Sequence, residues 1–196
     1  MAFLDKDYWT KRYSTGKTGW DIGYASPPLV QYLDQIQNKT IEVLVPGAGS
    51  GFEAAYAWDA GFKNIHLLDF SNVPLLRFKA SNPNFPLTQI HQQNFFDHEG
   101  SYDLILEQTF FCALDLSLRT TYALKMQSLL NPGGKLAGVW FAREFDFDGP
   151  PFGGKIGEYK QLFEKYFEVK MISPCYNSIP ERLGSEVFMI LENSKI

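Results

Sequence analysis

Hydrophobic and polar positions change their period repeatedly along the chain. "IEVLVP" (41–46) is a short, continuous apolar run, the pattern of a strand buried on both faces. "NIHLLDF" (64–70), "TQIHQQNF" (88–95), "YDLILEQ" (102–108) and "KLAGVWF" (135–141) read as four more strands. Helical spacing separates them. Ser26 before Pro27 signals a helix start, after which Val30, Leu33 and Ile36 or Gln37 recur on one face. Further helices are predicted around 53–60, stopped by Gly61, and over 73–80. Another is expected near 117–130, with Ser117 as its cap, Leu118, Tyr122, Met126 and Leu129 on one face, and "NPGG" as its end. A last one covers 157–167. "EVKMISPCY" (168–176) and "EVFMILEN" (186–193) close the chain as strands joined by a short loop containing "IPERLG".

Strands alternating with helices imply βαβ units, a mostly parallel sheet and right-handed crossovers. The last two strands have no helix between them and suggest an antiparallel pair at one edge. The expected fold is a Rossmann-like three-layer α/β/α sandwich, with a mostly parallel seven-stranded sheet and an antiparallel closing strand. No repeat, low-complexity tract or linker divides residues 1–196, so one domain is expected.

Composition narrows the partners. The chain has 196 residues, 45% hydrophobic and 20% charged, enough for a sizeable core. A formal charge of −4 and no dense basic run argue against a nucleic acid. No apolar run approaches the roughly 18 residues of a membrane span. "MAFLDKDYWTKRY" lacks the apolar segment of a signal peptide, so a cytoplasmic enzyme or binding protein is expected. The expected partner is a small-molecule substrate, with no membrane, and the expected state a monomer or weak homodimer. Cys112 and Cys175 have no metal-ligand spacing, and no metal is expected. Aromatic content is 16%, with Trp9 and Trp20 both inside the first twenty residues.

The candidate chemistry begins in "EVLVPGAGSGFEAAYAWDAG" (42–61), where Gly47, Gly49 and Gly51 alternate between a strand and a helix. Glycine costs roughly 0.5–1 kcal/mol relative to alanine in regular structure, so three so placed imply a backbone requirement. Dinucleotide-binding turns read GxGxxG. Here the pattern is GxGxG, with Phe52 where the third glycine of that motif would fall, which leans from NAD toward a ligand with an amino-acid end. Asp69 ends the next strand, 18 residues after Gly51, where a carboxylate can accept both hydrogen bonds of a ribose diol. The competing reading is that Asp69 or Ser71 caps the following helix. Asn94 and Phe95 close the third strand, suited to an adenine edge or, alternatively, to a loop start beside a core phenylalanine.

"DYWTKRYSTGKTGWDIGYASPPL", "VLVPGAGSG", "LLDFS", "NFFD", "YDLILEQTFFCAL", "LLNPGGKL" and "DGPPF" occur in the order seen in class I S-adenosylmethionine-dependent methyltransferases. The chain resembles the thiopurine methyltransferase family, most of all its halide/thiol methyltransferase branch. That resemblance implies that Gly47 and Gly49 hold the methionine portion of S-adenosyl-L-methionine and Asp69 its ribose. It places Asn94 and Phe95 against adenine, and Gln108 beside the transferred methyl. Residues 1–25 become an aromatic lid in which Trp9, Tyr13 and Trp20 close over cofactor and substrate. Trp20, Phe152 and Arg143 are the substrate-side candidates, with Arg143 steering an anionic acceptor from the end of the fifth strand or, alternatively, lying solvated at the surface. The branch usually carries aspartate at Asn94, tryptophan at Tyr13 and tyrosines at Gln108 and Phe152, so polarity near the acceptor differs.

The implied reaction is in-line transfer of a methyl group to a small soft nucleophile: a thiol, a thiopurine-like sulfur or a halide. It needs alignment more than acid–base machinery, and near-attack geometry can contribute roughly 7–11 kcal/mol. Tyr8, Trp9, Tyr13, Trp20, Phe110, Phe111 and Phe152 are candidates for aromatic walls, each worth about 0.5–2 kcal/mol toward a sulfonium. Cys112 has no histidine near it in sequence and is read as packing; His91 is read as structural, and no catalytic base is named. The alternatives are an NAD-dependent oxidoreductase and a noncatalytic S-adenosylmethionine-binding protein.

Overall fold

In the computed structural model, which describes residues 4–194, seven strands form one sheet. They are β1 (Val43–Pro46), β2 (Ile65–Asp69), β3 (Ile90–Gln92), β4 (Tyr102–Gln108), β5 (Leu130–Phe141), β6 (Glu168–Pro174) and β7 (Glu186–Glu192), in the order β3-β2-β1-β4-β5-β7-β6. The first five are parallel. β7 runs antiparallel to both of its neighbours, inserted between β5 and β6, so that β6 is the edge. The closing strand is therefore internal. Its side chains Val187, Met189 and Leu191 are buried, as the insertion demands.

Alternation along the strands splits the core in two, because successive side chains leave opposite faces. Leu44, Leu68, Ile105, Leu136 and Trp140 face α5 (Arg119–Leu129) and α6 (Ile156–Phe163), packing with Tyr122, Met126, Tyr159 and Phe163. Val43, Val45, Leu67, Leu104 and Leu106 face the other way. They meet Leu29 and Leu33 of α2 (Pro27–Asp34), Ala54 and Ala57 of α3 (Phe52–Asp59) and Phe78 of α4 (Asn72–Ser81). The result is the expected three-layer sandwich.

Several local expectations shift. A helix, α1 (Lys6–Ser14), occupies the N-terminal segment, capped by Asp5, whose side chain accepts from the Tyr8 N–H. Leu29 and Leu33 form the buried face of α2, while Val30 is half-buried and Ile36 lies beyond the helix end. Ser26 makes no side-chain cap; its N–H donates to Glu53 instead. α5 begins at Arg119, because Asp115 takes both the N–H and the hydroxyl of Ser117 and tightens 116–118 into a 3-10 turn. β3 is only three residues long, since Asn94 caps a second 3-10 turn at Phe95–Asp97. "NPGG" lies inside β5 as an irregularity: Leu130 pairs with Tyr102, and the next pair is Lys135 with Leu104.

Candidate active site

Order 3-2-1-4 reverses direction between β1 and β4, and ligands in such sheets sit beyond the strand ends at that point. A cavity of about 780 Å³ opens there. Its floor is the turn after β1. Gly47, Gly49 and Gly51 have φ of 59°, 52° and 72°, the left-handed region that glycine enters at no steric cost. Each also lies under a close neighbour. A Cβ on Gly47 would enter the Phe110 ring; one on Gly49 would stand 2.6 Å from the Tyr13 hydroxyl. A Cβ on Gly51 would meet Phe78 and Leu67 at 2.5 and 2.8 Å, so the third glycine serves the packing of α3 and α4 on the sheet.

Asp69 ends β2 beside that turn. Its Oδ2 accepts from the Gly49 N–H at 3.0 Å and its Oδ1 from the Ser71 N–H at 2.8 Å. It is 6% exposed and lines the cavity. Burial pushes its pKa up to about 6, against the pull of these N–H donors. Through the Ser71 N–H it tethers the start of α4, and each carboxylate oxygen has a second lone pair, which leaves it compatible with a ligand's donors.

Trp9, Tyr13 and Trp20 converge over the opening. Trp20 meets Trp9 and Tyr13 edge-on at 5.3 and 5.6 Å between ring centroids, with the Arg12 guanidinium 5.3 Å from the Trp20 ring. Four polar contacts clasp this segment to the body. Thr10 Oγ1 donates to Ser71 Oγ (3.0 Å) and Arg77 to the Tyr13 carbonyl (3.1 Å). Ser50 Oγ donates to Asp21 (2.5 Å) and Arg182 to the Trp20 carbonyl (2.7 Å). Burial, then the nearby Asp69, push the Tyr13 phenol above its usual range.

The remaining wall comes from the ends of β3 and β4. Asn94 and Phe95 both line the cavity, but the Asn94 Oδ1 already accepts from the Phe96 N–H, leaving its amide nitrogen for a ligand. Phe95 packs on Phe110 at 5.1 Å and belongs to the core as well as the wall. Gln108 lines the cavity, and its Oε1 is buried with no partner among the described residues. Phe110 and Cys112 follow it. The Cys112 thiol is pushed far up by burial, which suits packing and not nucleophilic attack.

Of the substrate-side candidates only Trp20 lines the cavity. Arg143 is exposed, its guanidinium 4.9 Å from the Phe145 ring, and Phe152 is half-buried with its N–H donating to the Cys112 carbonyl. Pro150, Pro151, Phe141 and Arg182 take those places in the wall. Arg182 sits in the loop before β7, paired with Glu186 at 3.7 Å. Nothing in the local pattern "IPERLG" marks it, because its proximity to Trp20 exists only once the sheet has formed. His91 belongs to a separate cluster: His66 Nδ1 lies 2.9 Å from His91 Nε2, and His98 Nε2 2.7 Å from the Tyr102 hydroxyl.

These residues fit a methionine-bearing nucleoside. The bare turn, the acceptor-only acid, the orphaned Gln108 oxygen and a cavity within the usual ligand range of roughly 300–1,000 Å³ are all compatible with it. A pyrophosphate is a poor fit, because Ser50 and Gly49 are bonded to the carboxylates of Asp21 and Asp69. Among the described residues no group of three or more His, Cys, Asp or Glu is placed to hold a metal.

A profile of the thiopurine S-methyltransferase family matches residues 4–188. The chain is 30% identical over 184 residues to the probable thiol methyltransferase 2 of Arabidopsis thaliana, covering 91% of this chain and 81% of that protein. It is 26% identical to thiocyanate methyltransferase 1 of the same plant, over 93% of this chain and 83% of that protein. In fold it is similar to the 1,6-didemethyltoxoflavin-N1-methyltransferase of Burkholderia thailandensis, solved with 1,6-didemethyltoxoflavin and S-adenosylhomocysteine. There the TM-score is 0.78 over 98% of this chain and 88% of that one, at 17% identity, a likeness of fold alone.

Proposed function

The chain belongs to the thiopurine S-methyltransferase family, and from that premise we propose that it moves a methyl group from S-adenosylmethionine to a small soft nucleophile, a thiol before a halide. One observation carries the assignment of the site: the Gly49 N–H bonded to Asp69 joins the bare turn and the strand-end acid into one wall of one cavity.

When bound, S-adenosylmethionine supplies a methyl group already activated on a sulfonium. Asp69 accepts from the ribose diol, and the turn at Gly47 and Gly49 lets backbone approach the amino-acid end. The Asn94 amide and Phe95 serve the adenine side. Gln108 and Phe110 form the wall toward the acceptor. Trp9, Tyr13 and Trp20 exclude water, so a soft anion loses its hydration before attack. Arg182 lines the cavity and Arg143 does not, but the Arg182 guanidinium is engaged by the Trp20 carbonyl and by Glu186, so its role is to hold the Trp20 segment over the site. An unperturbed thiol has a pKa of ~8.5, so the thiolate is the reacting form, and a thiol whose pKa lies near the working pH balances thiolate fraction against nucleophilicity best. Among the described residues no helix is long and apolar enough to cross a membrane, and the acceptor is read as a small molecule.

The test is release of S-adenosylhomocysteine from S-adenosylmethionine with hydrosulfide, an aromatic thiol, thiocyanate or iodide, each against a blank without acceptor. Release with a sulfur nucleophile above the blank supports the reading. Cofactor binding without release for any of them would leave a noncatalytic binder.

A further inference from the structure

β4 ends in two polar residues with opposite fates. Gln108 turns to the cavity, while Glu107 is 0% exposed in the core. Its Oε1 accepts from both the Phe110 N–H (2.8 Å) and the Phe111 N–H (2.9 Å), and its Oε2 accepts from the Tyr122 hydroxyl (2.5 Å). The Phe110 and Phe111 bonds span Thr109, which has φ +54° and is the one non-glycine residue among those described with positive φ. Such a conformation persists only where surrounding contacts over-determine it. Space for Glu107 is cleared from the neighbouring strand: Gly138 is its register partner, and a Cβ there would stand 2.5 Å from the Glu107 Cβ.

The turn so held parts two adjacent aromatics. Phe111 goes to the core against Tyr122, Tyr159 and Phe163, while Phe110 lies over Gly47 and lines the cavity. We propose that Glu107 is a positioning residue: by accepting from the Phe110 and Phe111 N–H groups it fixes the reversed turn at Thr109, and thereby the Gln108–Phe110 wall shared by cofactor and acceptor. The inference rests on the methyltransferase reading of that cavity, and Glu107 itself touches neither reactant. A carboxylate spent only on core packing needs no pair of donors from a segment that lines the cavity.

Glu107→Asp draws the carboxylate back by one methylene, and Glu107→Gln keeps its reach and one carbonyl acceptor. In the free protein, amide hydrogen exchange at Phe110 and Phe111 is expected to quicken about tenfold in Glu107→Asp and to stay near native in Glu107→Gln. The Kd for S-adenosylhomocysteine, read by calorimetry well below each variant's Tm, should rise about tenfold in Glu107→Asp and less than about threefold in Glu107→Gln. Tyr122→Phe removes only the Oε2 partner and should lower Tm with both other readouts native. If Glu107→Asp loses Tm but keeps native exchange at both amides, the residue is structural alone and the inference falls, with or without ligand. Failure of the native protein to bind S-adenosylhomocysteine would instead count against the methyltransferase reading, leaving the exchange result to decide the role of Glu107.

Discussion

The Gly49 amide donates to Asp69 across 3.0 Å, so the turn after β1 and the acid ending β2 are one hydrogen-bonded unit before any ligand arrives. A second donor, Ser71 N–H, takes the other carboxylate oxygen. The acid is thus oriented in advance, and a bound ribose meets a carboxylate that has no rotamer freedom left to lose.

Replacing Asp69 with alanine removes a charged acceptor and should weaken S-adenosylhomocysteine binding by about 1.5–3 kcal/mol. Calorimetry reads this directly; native affinity in Asp69→Ala would assign the acid to the start of α4 alone.

The same group sets a pH dependence. Burial raises its folded pKa to about 6, above the unfolded value near ~3.9, so the protonated acid is the one that folding favours. Stability contributed by Asp69 is therefore full below about pH 4 and lost as pH rises through about 6. Ligand binding runs the other way, since the ionised form is the better acceptor. Affinity is expected to fall as pH drops below about 6 in the native protein and to be flat there in Asp69→Asn, checked by calorimetry across pH 5–8.

Gly49→Ala meets two penalties, φ +52° and the Tyr13 hydroxyl 2.6 Å from the new methyl. The left-handed conformation alone costs roughly 1–2 kcal/mol. Because the second obstacle is one hydroxyl, Tyr13→Phe should recover part of the loss, a coupling of roughly 0.5 kcal/mol or more in a double-mutant cycle of urea stabilities. Strict additivity would show that Tyr13 moves aside freely.

His98 is 2% exposed, and its pKa is lowered to about 4 by burial first, then by His91, Lys125 and His66. A depressed histidine stabilises fully above its unfolded pKa near ~6.5 and progressively less as pH falls through the folded value. Urea midpoints should therefore decline between about pH 6.5 and 4, with a shallower slope in His98→Gln. Equal slopes would place the acid sensitivity elsewhere.

Trp20 is half-buried, held by edge contacts to Trp9 and Tyr13 and by its own carbonyl. Trp20→Ala should cost turnover far more than Tm, with kcat/KM falling about 10- to 100-fold. A large Tm loss with intact turnover would make it a core residue.

What the sequence made legible follows the range of the interactions involved. β1, the glycine turn and Asp69 are set by neighbours in the chain, and periodicity with strand-end logic reaches them. The helix α1 escaped because its pattern is mostly polar and its docking is tertiary, through Thr10 and Tyr13 onto α4. Ser117 looked like a cap, yet Asp115 outcompetes it by accepting from both of its donors. Arg143 was the visible cation after β5, but the chain beyond Phe141 carries it into solvent, while Arg182 reaches the wall from a loop 162 positions after Trp20. In the sequence Glu107 is one position of the fourth strand; its three donors are visible only in three dimensions.

The Arg182–Trp20 bond has a consequence for how the molecule comes into being. The aromatic cover precedes this latch by 162 positions, so during synthesis three of its four clasps, at Ser50, Ser71 and Arg77, have their partners translated long before the fourth. A ribosome-bound chain arrested before that arginine would lack only the last fastening of its door, and clipping the loop before β7 in the finished protein would loosen a corner of the cover from the far end of the sequence.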